Sequence, residues 1–236
     1  MINNNIFNLI EKDLGIKLAD IKKQQLVDYY LYLIKINKTL NLTRITEEED
    51  FLIKNVYDSL LVTKVCDFSD KELVLFDLGT GAGIPGIILK IVFPNLKVFL
   101  VETLRKRCRF LEDVIKKLKL DNIFVVNGRA EDACNEFRGS ADYVIARAFT
   151  SLSVTLEMGI AYLKKGGNVI AMRGSFYNDD LKSSENAIKV LKFKKGKDNK
   201  SELPFGNGIR YNALFQKQED LKGFPRKYAY IKKEEL

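Results

Sequence analysis

The sequence predicts an α/β protein, a mostly parallel sheet with helices on both faces, in two parts. Residues 1–70 form a helical extension packed on a core, and residues 71–236 form that core with a basic C-terminal segment. Three observations carry this reading. Short apolar runs alternate with helical stretches of 10 to 17 residues from residue 73 onward, the pattern of strands joined by crossover helices. The preceding seventy or so residues show helical periodicity alone. Between the two parts, Leu73-Val74-Leu75-Phe76-Asp77 leads into Leu78-Gly79-Thr80-Gly81-Ala82-Gly83-Ile84-Pro85-Gly86. This is a strand, a glycine loop and a helix start, the turn that brings backbone close to a nucleotide-like ligand.

The elements follow in order. Residues 4–14 place Ile6, Phe7, Leu9, Ile10 and Leu14 on one side of a short helix stopped by Gly15. Asp20 is the expected N-cap of a second helix, with Ile21, Leu26, Tyr29, Tyr30, Leu33 and Ile34 at helical spacing and an end near Asn37. Asn41-Leu42-Thr43-Arg44 forms a polar bend. Thr46 and Glu49 fit a capping box for a third helix carrying Phe51, Leu52, Val56, Tyr57, Leu60 and Leu61. A layer this thin lacks the core to stand alone.

Beyond the glycine loop, helix is expected over 87–92, 104–120, 130–137, 153–163 and 178–190. Strands are expected over 97–101, 123–126, 142–146 and 168–172, with β-like stretches at 190–195 and 209–216. Lys164-Lys165-Gly166-Gly167 reads as a turn.

Composition narrows the chemistry. The chain has 236 residues, 46% hydrophobic and 30% charged, as in a soluble globular protein. No stretch approaches the ~20 apolar residues of a membrane span, and Met1-Ile2-Asn3-Asn4-Asn5 lacks the order of a secretion signal. Three separated cysteines, Cys66, Cys108 and Cys134, point to reduced thiols and a cytoplasmic protein. With no histidine and no Cys-x-x-Cys pair, no metal site is expected, and imidazole general-base chemistry is excluded. Of the net +8, residues 189–236 supply +7, from 13 basic and 6 acidic side chains. Such a lobe suits a polyanionic partner as well as it suits a plain solvated surface.

The glycine loop carries the first chemical signal. Gly81-Ala82-Gly83-Ile84-Pro85-Gly86 spells GxGxxG, and Glu102 lies about twenty residues on. Asp77 sits two residues before the first glycine, where a carboxylate can face a cationic ligand. Pro85 removes an amide that a pyrophosphate would use. Both details favour S-adenosylmethionine over NAD as the cofactor. Glu102, ending the second strand, is the candidate for the ribose hydroxyls. Ala130 and Glu131, after the third strand, stand where an adenine edge is expected.

Taken together, the motifs resemble one family. Asn41-Leu42-Thr43, Asp58-Ser59-Leu60, the run from Asp77 to Gly86, Lys106-Arg107-Cys108-Arg109-Phe110-Leu111, Gly128-Arg129-Ala130-Glu131, Arg147-Ala148-Phe149 and Phe224-Pro225-Arg226-Lys227 occur in the order found in the bacterial small-subunit rRNA guanine-N7 methyltransferases. This is the RsmG family, also called glucose-inhibited division protein B. The resemblance implies a Rossmann-like class I methyltransferase with a seven-stranded sheet, acting as a monomer on 16S rRNA or the small ribosomal subunit. It implies methyl transfer from S-adenosylmethionine to N7 of a guanine near the decoding site, with cofactor contacts at Gly79, Ile84, Ala130, Glu131 and Arg147. Gly81 and Gly83 join that set through the loop. One position departs: the family usually has histidine where this chain has Asn55, which either imitates a structural hydrogen bonder or alters activity.

The chemistry fits a chain without histidine. Guanine N7 has an in-plane lone pair and no proton, so its alkylation needs alignment and no general base. No catalytic base is therefore assigned, and Arg147 is the candidate positioning residue, for a carboxylate, an RNA phosphate or the guanine O6. Arg44, Lys106, Arg107, Arg109, Arg173, Arg226 and Lys227 are the candidate phosphate contacts, beside Arg105, and imply RNA binding that weakens steeply with salt. Phe149, Phe176 and Tyr177 are candidates for stacking an extruded base. Two other classes stay open on the residues alone, a nicotinamide-dependent oxidoreductase and a non-catalytic RNA-binding module.

Overall fold

Apolar runs with β-branched residues form the strands, and their order in space follows from right-handed crossovers. A computed structural model describes residues 4–69, 72–147 and 149–236. Its sheet has seven strands: β1 (Val74–Leu78), β2 (Lys97–Glu102), β3 (Ile123–Asn127), β4 (Ala141–Arg147), β5 (Leu163–Arg173), β6 (Phe193–Glu202) and β7 (Ile209–Lys217). They lie in the order β3-β2-β1-β4-β5-β7-β6. The first five are parallel, and β7 runs antiparallel between β5 and β6. The order reverses between β1 and β4, so the carboxyl ends of these strands frame a crevice, the usual ligand position in such sheets.

Helices cover both faces. α1 (Asn4–Leu14) and α2 (Asp20–Leu40) lie on one face with α5 (Gly86–Val92) and α6 (Arg105–Leu118). The other face holds α7 (Ala130–Ala133), α8 (Leu152–Ile160), α9 (Tyr177–Ser183) and α10 (Glu185–Val190), with α11 (Tyr228–Lys233) near the C-terminus. The N-terminal helices share one core with the sheet: Phe7, Leu26, Tyr29, Phe51 and Leu60 are buried together with Ile87, Leu100 and Ile145. No helix among the described residues is long and apolar enough to cross a membrane.

Five local expectations are corrected. Asp20 lies in the first turn of α2, and Ala19 is the N-cap. Thr46 caps nothing: the third helix starts at Glu48, after Glu47, because Tyr30 Oη ties down the Thr46 carbonyl at 2.8 Å. That helix is also irregular. α3 (Glu48–Phe51) runs into a π-helical segment, Leu52–Tyr57, then α4 (Asp58–Leu60) and a 3-10 turn, Leu61–Lys64. The residues 164–167 lie inside β5 as a bulge, since Ala141 pairs with Leu163 but Tyr143 with Asn168. The single helix expected at 178–190 is two, joined at Ser184.

Candidate cofactor and substrate site

The glycine loop takes its shape from one carboxylate. Asp77 is 1% exposed, and its Oδ2 accepts from Thr80 Oγ1 at 2.6 Å and from the Gly86 amide at 2.8 Å. It therefore points back beneath the loop and fixes its two ends, a different place from the ligand-facing one expected. Gly86 must be glycine for the same reason: a Cβ there would lie 2.4 Å from Leu100 Cδ2 and 2.9 Å from Asp77 Oδ2. Pro85 is the N-cap of α5. At the start of that helix the Gly83 and Ile84 amides donate to the Thr80 carbonyl and Ile87 N donates to the Gly83 carbonyl.

Burial pushes the Asp77 carboxyl up to about 6, against the pull of its Thr80 and Gly86 hydrogen bonds. Raised above its ordinary 3.8, it keeps its proton in the folded chain while the unfolded chain releases it. Stability is thus lost as pH rises from about 4 to about 6, by on the order of 2–3 kcal/mol. Asp77→Asn keeps an oxygen for both donors, so its melting temperature relative to wild type should climb across that window. A constant difference between pH 4 and pH 7 would refute this account.

Above the loop, Leu42, Thr43, Gly79, Thr80, Gly81, Ala82, Ile84 and Arg147 line a cavity of about 210 Å³. Leu42 and Thr43 come from the bend after α2, so the N-terminal layer forms part of the wall, and Tyr29 Oη anchors it by donating to the Ala82 carbonyl at 2.5 Å. Gly79, Gly81 and Gly83 all have positive φ; Phe149 packs where a Gly79 side chain would lie and Ile87 where a Gly83 one would, whereas a Cβ at Gly81 would meet only the Gly79 carbonyl oxygen, at 4.0 Å. Glu102 is buried beside them. Its Oε2 accepts from Gly81 N at 3.1 Å and its Oε1 from Leu104 N at 2.9 Å, and Arg107 Nη1 stands 3.7 Å away. Ala130 and Glu131 open α7 at the end of β3, outside this cavity, with Glu131 3.7 Å from Arg129. The structure thus gathers Gly79, Gly81, Ile84 and Arg147 into one cavity. Glu102 and Gly83 lie at its edge, and Asp77 lies under it.

Arg147 ends β4, and the π-helical segment is shaped around it. Its Nη1 donates to the Lys54 carbonyl at 2.9 Å and stands 3.3 Å from Asp58 Oδ2, and its Nη2 donates to Asn55 Oδ1 at 2.9 Å. The wider π turn lets Lys54, Asn55 and Asp58 converge on one guanidinium; such turns recur at functional sites. Asn55 therefore acts as a hydrogen-bond acceptor. Asp58, 5% exposed at its side chain, is also 3.3 Å from Arg210 Nε. Its burial pushes the carboxyl up, and the two guanidinium groups oppose that. Sequence reasoning quoted Asp58 as a motif but missed its role, and it missed Arg210 entirely. The signal for Asp58 was an acid inside an otherwise apolar helical stretch.

The basic candidates divide. Arg44, Lys106, Arg109 and Lys227 are exposed, and Arg107 is partly so. Arg173 is not available to RNA: its side chain is 8% exposed, Nε pairs with Asp180 at 3.3 Å, Nη1 donates to the Thr150 carbonyl and Nη2 to Thr155 Oγ1. Arg226 is likewise committed, with Nε and Nη2 forked onto the buried Glu157 at 2.8 Å each and its own amide on Glu157 Oε1. It latches the C-terminal segment onto α8. Of the aromatic candidates, Tyr177 is buried and stacks on Tyr211 at 4.9 Å, Phe149 lies against Gly79, and Phe176 is 79% exposed. Ala148 of the Arg-Ala-Phe stretch lies outside the described residues.

The sheet order and glycine loop define a Rossmann-like methyltransferase fold, and solved structures share it. A SAM dependent methyltransferase from Aquifex aeolicus matches with a TM-score of 0.53 at 16% identity, over 77% of this chain and 97% of that one. Aeropyrum pernix fibrillarin, solved with natively bound S-adenosyl-L-methionine, matches at 0.52 and 14%, over 67% and 72%. Sequence comparison narrows the class. The model of the family described as rRNA small subunit methyltransferase G (GidB) matches residues 22–203. The ribosomal RNA small subunit methyltransferase G of Acholeplasma laidlawii is 41% identical over 236 residues, covering all of both chains. That of Staphylococcus saprophyticus is 41% identical over 215 residues, 90% of each. The chain belongs to the rRNA small subunit methyltransferase G family.

Proposed function

We propose that this protein transfers a methyl group from S-adenosylmethionine to N7 of a guanine in small-subunit rRNA, in the loop near the decoding site. The observation that carries the cofactor choice is the start of α5. Pro85 has no amide hydrogen, the Gly86 amide is held by Asp77, and the Ile84 and Ile87 amides are bonded within the loop. A pyrophosphate would find no free donor there, whereas the zwitterionic end of S-adenosylmethionine suits a bare glycine backbone beside Arg147. The residues fit this cofactor: the missing side chain of Gly81 leaves open space beside the cavity, and Glu102 presents a buried carboxylate at the end of β2.

In this reading the main chain of Gly79, Gly81, Gly83 and Ile84 holds the amino-acid end, Glu102 the ribose, and Ala130 with Glu131 the adenine edge. The cofactor supplies a methyl group on a sulfonium, already electrophilic. Asp77 acts by fixing the loop. Arg147 orients the acceptor, and Lys54 and Asn55 of the π-helical segment, with Asp58 just after it, hold the guanidinium still. No side chain moves a proton before the methyl is transferred, because N7 carries none; the rate comes from alignment in a site that Leu42 and Thr43 help to close. Arg44, Lys106, Arg107, Arg109 and Lys227 track RNA phosphates. In this reading the chain acts as a monomer, in the cytoplasm where its RNA is.

The test uses 16S rRNA, free and in small subunits, from a strain lacking the gene, with methyl-labelled S-adenosylmethionine. One labelled N7-methylguanine near the decoding site is the expected product. RNA binding without transfer of label would sink the reading in favour of a non-catalytic RNA-binding module.

A further inference from the structure

A second cavity opens on the other side of Arg147. It measures about 430 Å³ and is lined by Lys54, Asp58, Arg147, Arg210 and Asn212 among others, enough for a nucleobase. The side chain of Asn212 is the unusual feature. It is 1% exposed, and neither its Oδ1 nor its Nδ2 has a hydrogen-bond partner. Buried amides are nearly always paired, and leaving both atoms unpaired is costly. Strand alternation on β7 puts Arg210 and Asn212 on the same face as Leu214, toward the N-terminal layer, while Ala213 and Phe215 pack into the opposite core. A leucine would suit that buried position better than an amide, unless something polar enters the cavity.

We propose that Asn212, with Asp58 and Arg210 beside it, reads the Watson–Crick edge of the acceptor guanine. This rests on the reaction proposed above. The chemistry matches atom by atom. A carboxamide offers one acceptor and two donors, which pair with guanine N1–H and O6. The Asp58 carboxylate, held between Arg147 and Arg210, accepts from the exocyclic N2 amino group. Adenine has no amino group at C2, so it would leave that carboxylate facing a C–H. The placement also agrees. On a purine, N7 and the N1/N2 edge lie at opposite ends with O6 between them. Arg147 is shared by the two cavities. A base whose Watson–Crick edge enters the larger cavity turns N7 away from it, toward the glycine-loop side.

The experiment compares acceptors. Small subunits are reconstituted with 16S rRNA carrying guanine or 2-aminopurine at the acceptor position; the analogue keeps N7 but lacks O6 and N1–H. Wild type should prefer guanine by on the order of 10- to 100-fold in kcat/KM, the worth of one bidentate base contact. Asn212→Ala should bring that ratio close to one by losing transfer to guanine, with the affinity for S-adenosylmethionine unchanged. Asn212→Leu, which removes both unpartnered atoms at similar volume, should show the same collapsed ratio and melt no lower than wild type; it supplies the ratio if the alanine variant folds poorly. A variant that keeps the wild-type ratio, or a wild type that does not discriminate, overturns the assignment while leaving the reaction standing. Wild type that transfers no methyl to guanine-bearing subunits overturns the reaction itself.

Discussion

Arg147→Ala should lower methyl transfer to small-subunit rRNA by at least about 100-fold, the scale on which a misplaced reactant costs rate. The loss should persist at temperatures where the variant is folded. Among the described residues, the guanidinium is the only group that joins β4, the π-helical segment and both cavities. Removing it also leaves Asp58 with Arg210 as its one cationic partner among the described residues, so a stability loss toward the lower end of about 3–5 kcal/mol is expected. Arg147→Lys should not rescue transfer, because a single ammonium cannot serve three acceptors arranged for a planar fork. Pairing Arg147→Ala with Asp58→Asn should recover much of the stability and none of the activity. Labelled-methyl kinetics and thermal melts decide this, and an alanine variant above half of wild-type turnover would end the positioning role.

Gly79→Ala should weaken S-adenosylmethionine binding at least tenfold and destabilise the fold. Two effects combine at this position. Its φ is +66°, where an L-residue is strained, and a Cβ would lie 2.3 Å from Phe149 Cδ2 and 2.7 Å from Cε2. Strain of about 1–3 kcal/mol follows from the backbone alone, and the ring must also leave the loop it packs on. Gly139 provides the control, since it has the same φ of +66° with nothing within 4 Å of a Cβ. Gly139→Ala should cost some stability and leave cofactor affinity, measured by calorimetry, where it was. Equal affinity in the two variants would mean that the Gly79–Phe149 contact has no bearing on the cofactor.

The architecture was legible because its signals are local. Alternating strands and helices, the glycine loop and the seven β-rich stretches each depend on residues close together in the chain. Errors arose where a distant partner decides. Thr46 has the right neighbours for a capping box, but Tyr30 claims its carbonyl. Arg173 and Arg226 look like phosphate contacts in a basic segment, and only the fold brings Asp180 and Glu157 against them. Asp77 reads as a ligand carboxylate until the loop closes over it. Arg147 was found, but its partners were not, since nothing in the order of Lys54, Asn55 and Asp58 announces a π turn. Asn212 carries no local signal at all: its burial depends on a helical layer well over a hundred residues earlier in the chain.

The shared guanidinium of Arg147 has one more consequence. A side chain that forms a wall of two cavities cannot be moved from one without being felt in the other. If a ligand in the cofactor cavity shifts the bond to Asn55 or Asp58, the affinity of the neighbouring cavity changes by some factor. Thermodynamic linkage then requires the second ligand to change the affinity of the first by that same factor. Donor and acceptor occupancy are thus two readings of one equilibrium, coupled through a single arginine.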